Sequence, residues 1–201
     1  MARVLTPENL RNAGHQVKAT HGAPGVDGMT SEDFPALART HGPRIGQAWR
    51  DETYQPAPVR RTEIPQRHGP GKRRLGIPTV VARVIQPALA QVLGPLVDPD
   101  FSASSFGVRP KRSAHHAVKQ IQSYSKTGYR VAGDMDLAKF FDRVNHDALL
   151  ARVARKVRDK ALLRLMGKYL RAGGLVGADL QPTATGVPHG SPLSPVLSNL
   201  M

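Results

Sequence analysis

The sequence predicts an α+β fold, and three observations carry that prediction. Stretches with a 3.6-residue apolar period alternate with stretches of period two. Two short basic runs flank a Gly69-Pro70-Gly71 turn in the manner of a hairpin. No Gly-rich loop of the dinucleotide-binding kind opens a helix, which argues against a doubly wound parallel sheet.

Taken in order, Thr6 is placed to N-cap a helix over 7–20, with Pro7 at the first helical position and Glu8 in the first turn. The run Gly22-Ala-Pro-Gly25-Val-Asp27-Gly28 reads as a tight, ordered loop. A second helix is expected over roughly 31–41. Val59 to Ile64 reads as a strand, His68 to Gly71 as a turn, and Arg73 to Ile77 as the returning strand. The hairpin is basic, since Arg60, Arg61, Arg67, Lys72, Arg73 and Arg74 fall within fifteen residues. Thr79 can cap a helix with Val80, Val84, Ile85, Ala88 and Leu89 on one face. Pro87 lies inside it and is expected to kink or split it, at a cost of about 3 kcal/mol. Ser113 caps another, with Ala114, Ala117, Val118 and Ile121 as its apolar stripe. Tyr129 to Leu137 alternates and reads as a strand. Val131, Gly133, Met135 and Leu137 face one way; Arg130, Ala132, Asp134 and Asp136 face the other. Helices are expected from about His146 to Val157 and from Asp159 to Arg171, the latter stopped at Gly173.

With 201 residues the chain can form one large domain or two small lobes, and its 40% apolar content is ordinary. Its charge is not: 29 Lys and Arg oppose 15 Asp and Glu, a net +14. So basic a chain points to a polyanion, nucleic acid first. A solvated basic surface, or a face for an acidic protein, is the plainer alternative. The absence of cysteine excludes a disulfide scaffold, a thiolate zinc site and thiol catalysis. No apolar run is expected to reach the ~20 residues of a membrane span, and the N-terminus lacks a signal-peptide core. The expected location is the cytoplasm, with no membrane partner.

Asp136 stands where a strand end would hold a carboxylate rigidly at a cleft rim. Nucleotidyl transfer by two metals needs carboxylates converging from separate elements. A strand-terminal Asp capping the next turn explains the same residue equally well. The neighbouring motifs extend the pattern: Leu75-Gly-Ile-Pro-Thr79, Phe106-Gly-Val-Arg-Pro110 running on to Val118, Asp136-Leu-Ala-Lys-Phe-Phe-Asp-Arg-Val-Asn-His-Asp147, and Gly186-Val-Pro-His-Gly-Ser-Pro-Leu-Ser-Pro195. In this order and spacing they resemble the group II intron-encoded reverse transcriptases, or maturases. The Gly22 to Thr30 run is similar to that family's extra N-terminal motif.

The resemblance implies a right-hand polymerase: an N-terminal extension over 1–55, fingers over 56–125 and a palm, truncated partway, over 126–201. It implies RNA-directed DNA synthesis with two Mg²⁺. Partners would be intron or template RNA, an RNA–DNA primer-template and dNTP. Asp136 would be the first catalytic, metal-binding aspartate, and the Leu137 carbonyl a further ligand. Phe141 would exclude a ribose 2′-hydroxyl, because a ring packed under C2′ leaves no room for another oxygen; of Phe140 and Phe141, one belongs in the core. Arg73 would grip the triphosphate, or be one more solvated charge. His189 and Gly190 would lie at the nascent base pair. Arg60, Arg61, Lys72, Arg74, Arg109 and Arg112 would meet RNA or template, with a structural role for Arg109 equally open. His115, His116 and His146 read as satisfied histidines rather than metal ligands.

The match also departs from the family. The family's glutamine is His189, its glycine is Ser191, and its tyrosine and second aromatic are Phe106 and Val108. Its aspartate before Arg83 is Ala82, which leaves Arg83 without that partner. Gln66 stands for a common lysine. The aromatic-Ala-Asp-Asp turn does not occur within the 201 residues and is expected within a few dozen residues of Met201. On this reading the chain alone does not polymerise, and it is marginally stable or associates, as a homodimer or with a complementing C-terminal fragment. The rival from another class is a non-catalytic basic RNA-binding protein or splicing helper. A further rival is a retron-like, CRISPR-associated or diversity-generating reverse transcriptase.

Overall fold

The computed structural model describes residues 1–65, 72–137, 139–177, 179–187, 191 and 193–201, with only the backbone of Arg73 and Arg74. Thr6 accepts a hydrogen bond from the Asn9 amide and opens α1 (Pro7–Ala19), as its cap and proline dictate. Asn9 Nδ2 donates to the Ala88 carbonyl at 2.9 Å and pins α1 to α3 (Val80–Val97). The helix α2 (Phe34–Arg50) is longer than the expected 31–41. The Thr30 amide and hydroxyl both donate to the Asp33 carboxylate, at 2.9 and 2.6 Å, and set its start. It runs through Pro43, which deletes one backbone bond, because buried Trp49 anchors its far turn in the core.

Strands β1 (Val59–Pro65) and β2 (Lys72–Ile77) form the expected antiparallel hairpin, with Arg61 opposite Gly76 and Glu63 opposite Arg74. The turn between them, with Gln66 and Arg67, lies outside the described residues. Two short strands that sequence reasoning missed, β3 (Gly174–Val176) and β4 (Asp179–Gln181), extend this sheet in the order β2-β1-β3-β4. β3 runs parallel to β1, with Val59 opposite Gly174. Three residues are too few to display alternation, so neither strand has a period to read.

Helix α3 corrects two expectations. It is continuous through Pro87 and Pro95. Ile85, Ala88 and Leu89 are fully buried and Val84 nearly so. At about 1.5–3 kcal/mol for each large buried side chain, that packing outweighs the ~3 kcal/mol of an interior proline. The stretch Val80–Asp100 is also long and apolar enough to cross a membrane by length and composition. In this fold it is the central core helix, mostly buried, against which α1 packs.

The largest correction concerns residues 129–137. They form no strand: the segment is exposed throughout, with Val131, Met135 and Leu137 at 94, 95 and 70% exposure. Alternation states which face each side chain would take once a neighbour supplies a ladder. Among the described residues no strand pairs with it. The preceding α4 (Ala114–Lys126) likewise leaves Val118 and Ile121 of its expected stripe exposed.

Then come α5 (Phe140–Arg143) and α6 (His146–Ala154), the latter stopping short of Val157, which is buried nonetheless. Asp159 caps α7 (Lys160–Arg171) by accepting from the Leu162 amide at 3.0 Å, and Gly173 ends that segment at φ +78°. A last short helix, α8 (Ser194–Ser198), contributes Leu197. Leu89, Leu93, Leu149, Met166 and Leu197 bring α3, α6, α7 and α8 into one core.

Candidate nucleotide cleft and nucleic-acid face

A cleft of about 340 Å³ opens between the β1–β2 hairpin and α5. The hairpin supplies Val59, Arg61, Leu75 and Gly76; the other side is Lys139, Phe141 and Asp142; the floor is Thr183, Thr185, Gly186 and Val187. Sequence reasoning puts one of two adjacent rings in the core. Phe140 packs against the core and Phe141 lines the cleft, the rings meeting edge to face at 5.4 Å. Lys139, at the N-cap of α5, takes a left-handed φ of +54°, a conformation that costs a non-glycine residue about 1–2 kcal/mol.

The floor is bound tightly to α5. The Gly186 amide donates to the Val144 carbonyl and the Val187 amide to the Phe141 carbonyl, both at 2.7 Å. Gly186 has φ +92°, and a Cβ there would stand 2.8 Å from the Phe141 carbonyl oxygen. Only glycine fits. Pro188, His189 and Gly190, beyond this floor, lie outside the described residues. Ser191, where the family favours glycine, is buried and donates to Gln86 Oε1 of α3 at 2.8 Å. The hydroxyl thus has a partner that no single-sequence signal announces.

The N-terminal loop is docked through Arg83. Its Nε donates to the Pro78 carbonyl at 3.0 Å and its Nη2 to the Ala23 carbonyl. Its partners are therefore backbone oxygens rather than the missing aspartate. Burial lowers its pKa and the Asp27 carboxylate opposes that shift. Gly25 lies against the start of α3, where a Cβ would meet Thr79 Cα at 2.8 Å.

The expected nucleic-acid contacts divide. Arg61 reaches Gln181 Oε1 at 2.6 Å and Lys72 pairs with Glu63 at 3.2 Å, both on open surface. The Arg60 Nε is buried without a hydrogen-bond partner among the described residues. Register places Arg73 opposite Ile64 and Arg74 opposite Glu63. Arg109, 9% exposed, spends its donors inside the chain: on Asp98 Oδ1 (2.7 Å) and the carbonyls of Ser102 (2.7 Å), Ser105 (3.1 Å) and Asp98 (3.0 Å). Of its two open roles, that geometry corresponds to the structural one. Arg112 donates to the Ala103 carbonyl and stacks over Phe106.

Asp136 is exposed, and its Oδ1 accepts from the Leu137 amide at 2.9 Å, the geometry of a local cap. Among the described residues no three His, Cys, Asp or Glu side chains converge. Asp136 and the Leu137 carbonyl therefore do not make a two-metal site by themselves.

The small four-stranded sheet, its basic hairpin and the glycine-backed cleft thus sit together beside one helical core. The chain belongs to the family "Reverse transcriptase (RNA-dependent DNA polymerase)", whose model matches residues 64–201. Among its relatives is the group II intron-encoded protein LtrA of Lactococcus lactis subsp. cremoris, 36% identical across 98% of this chain and 33% of LtrA. Protein YkfC of Escherichia coli (strain K12) is 35% identical across 100% of this chain and 54% of YkfC. The chain thus spans about half or less of these relatives. In a solved partial Cas6-RT-Cas1--Cas2 complex, one chain superposes with a TM-score of 0.63 at 23% identity, covering 98% of this chain and 32% of that one. That likeness shows the fold.

Proposed function

We propose that this chain is the fingers and the first part of the palm of a group II intron-type RNA-directed DNA polymerase. The observation that carries the reading is Phe141, presented by α5 into a cleft whose opposite wall is the basic hairpin. In it the hairpin arginines, Arg73 foremost, hold the triphosphate. Phe141 closes the space under C2′, and His189 and Gly190 bind the incoming nucleotide at the nascent base pair. Arg60, Arg61, Lys72, Arg74 and Arg112 track template or intron RNA, while Arg109 holds the loop that carries Arg112. When bound, Mg²⁺ would activate the attacking hydroxyl and steady the phosphate. Asp136 and the Leu137 carbonyl supply part of its coordination, the other carboxylates coming from outside the described residues. The alternating 129–137 segment then gains its ladder from palm strands that carry those carboxylates. Without them the chain binds nucleotide and RNA but does not polymerise.

The test is photolabelling of the 201-residue chain with a photoreactive dNTP. Labelled peptides from 59–76 and 139–143, protected by unmodified dNTP and lost in Phe141→Ala, are expected. Salt-sensitive RNA binding without cleft labelling favours the non-catalytic RNA-binding reading, which the +14 charge and the lone Asp136 also suit. Metal-dependent cDNA synthesis by this chain, lost in Asp136→Ala, contradicts its inactivity in isolation.

A further inference from the structure

We propose that His146 is a positioning residue: by one hydrogen bond it locks the 185–187 floor against α5 and so fixes where the Phe141 ring stands beside the sugar of a bound nucleoside triphosphate. The inference rests on the nucleotide reading of the cleft. His146 lies in the first turn of α6 and is 4% exposed. Its Nε2 is 2.6 Å from the Gly186 carbonyl oxygen, forty residues away in sequence. A carbonyl can only accept, so Nε2 carries the proton. Nδ1 is buried without a partner among the described residues.

That bond belongs to a set, with one other side-chain member, that ties the floor down. Asn145 bridges Thr185, and the Thr185 hydroxyl donates to the Asp142 carbonyl at 3.3 Å. The Gly186 and Val187 amides donate to Val144 and Phe141. Gly186 runs so close to α5 that an added Cβ would stand 2.8 Å from the Phe141 carbonyl oxygen, and the Val187 amide is bonded to that same oxygen, so a displacement of the Gly186 carbonyl is passed to the Phe141 backbone. Sugar discrimination depends on where that ring stands to a fraction of an ångström, the scale on which misplacement costs rate and affinity. A histidine satisfied merely as core filling would have no such effect.

The experiment compares His146→Phe, which keeps ring volume and removes the donor, with His146→Gln, which restores an N–H. Two readouts are taken on the full chain in magnesium buffer: the affinity ratio for deoxy- over ribonucleoside triphosphate, and amide exchange at Gly186 and Val187. Expected for His146→Phe is an about tenfold fall in the deoxy preference and faster exchange at both amides, with recovery in His146→Gln. An unchanged ratio in His146→Phe, or equal loss in both variants, overturns the proposal. A wild-type chain that binds neither nucleotide overturns the reading of the cleft, and with it the sugar-positioning role. Unchanged exchange in His146→Phe, whatever the nucleotide result, overturns the tether itself.

Discussion

Val108 adopts φ +49° while 76% exposed. A β-branched side chain reaches this left-handed region at a cost of about 1–2 kcal/mol. The next residue, Arg109, is fixed by four hydrogen bonds and holds Val108 in place. Val108→Asn, a residue that tolerates the conformation, is expected to raise stability by about 1 kcal/mol; the urea midpoint measures it, and a lower midpoint contradicts it. At this scale the sequence was legible wherever a residue's role follows from its immediate neighbours. The Thr6 and Thr79 caps form, whereas Ser113 stands at the N-cap of α4 without a side-chain hydrogen bond to the helix. Phe140 and Phe141 divide as adjacent rings must. The partners of Arg83 and Ser191 were not legible, because the Ala23 carbonyl and Gln86 are sixty and 105 residues away in sequence.

The loop between α3 and α4 is organised around one ion pair, and that gives it a pH dependence. The Arg109 guanidinium, hydrogen-bonded to Asp98, holds the Asp98 carboxyl below its usual range and raises its own pKa. A carboxylate with a depressed folded pKa stabilises the fold above its unfolded value, near 3.9, and loses that contribution as pH falls through the folded value. Wild type is therefore expected to exceed Asp98→Asn in urea midpoint by a constant margin above about pH 5. That margin should shrink below about pH 4; a margin independent of pH contradicts the pair's role. Elements divided as residues did. The hairpin, α1 and α7 appear near their expected bounds, and α3 and α4 begin after Thr79 and Ser113 as expected, α3 running on unbroken through Pro87. Strands β3 and β4 are three residues each and carry none. The 129–137 segment carries a clear period without a ladder, because a pattern specifies a face and not the neighbour that covers it.

For the whole molecule, the net charge of +14 gives the proposed RNA binding a salt dependence. Binding to single-stranded RNA is expected to weaken linearly in log salt. Replacing Arg61 and Lys72 by Gln should reduce the slope by about 1.4, at about 0.7 per phosphate contact. Filter binding across a salt series measures this, and an unchanged slope removes the hairpin from the RNA face. The bare 129–137 segment has a consequence of another kind. Proteases take their substrates as extended chain with free backbone amides, and this stretch, with exposed Arg130 inside it, already has that form. Brief trypsin treatment is expected to cut first after Arg130, parting α4 from α5, whereas first cleavage within the packed helices contradicts this. Any strand that docks beside residues 131–137 would hide the scissile bond, so the lifetime of the intact chain becomes a direct gauge of whether this segment has found a neighbour.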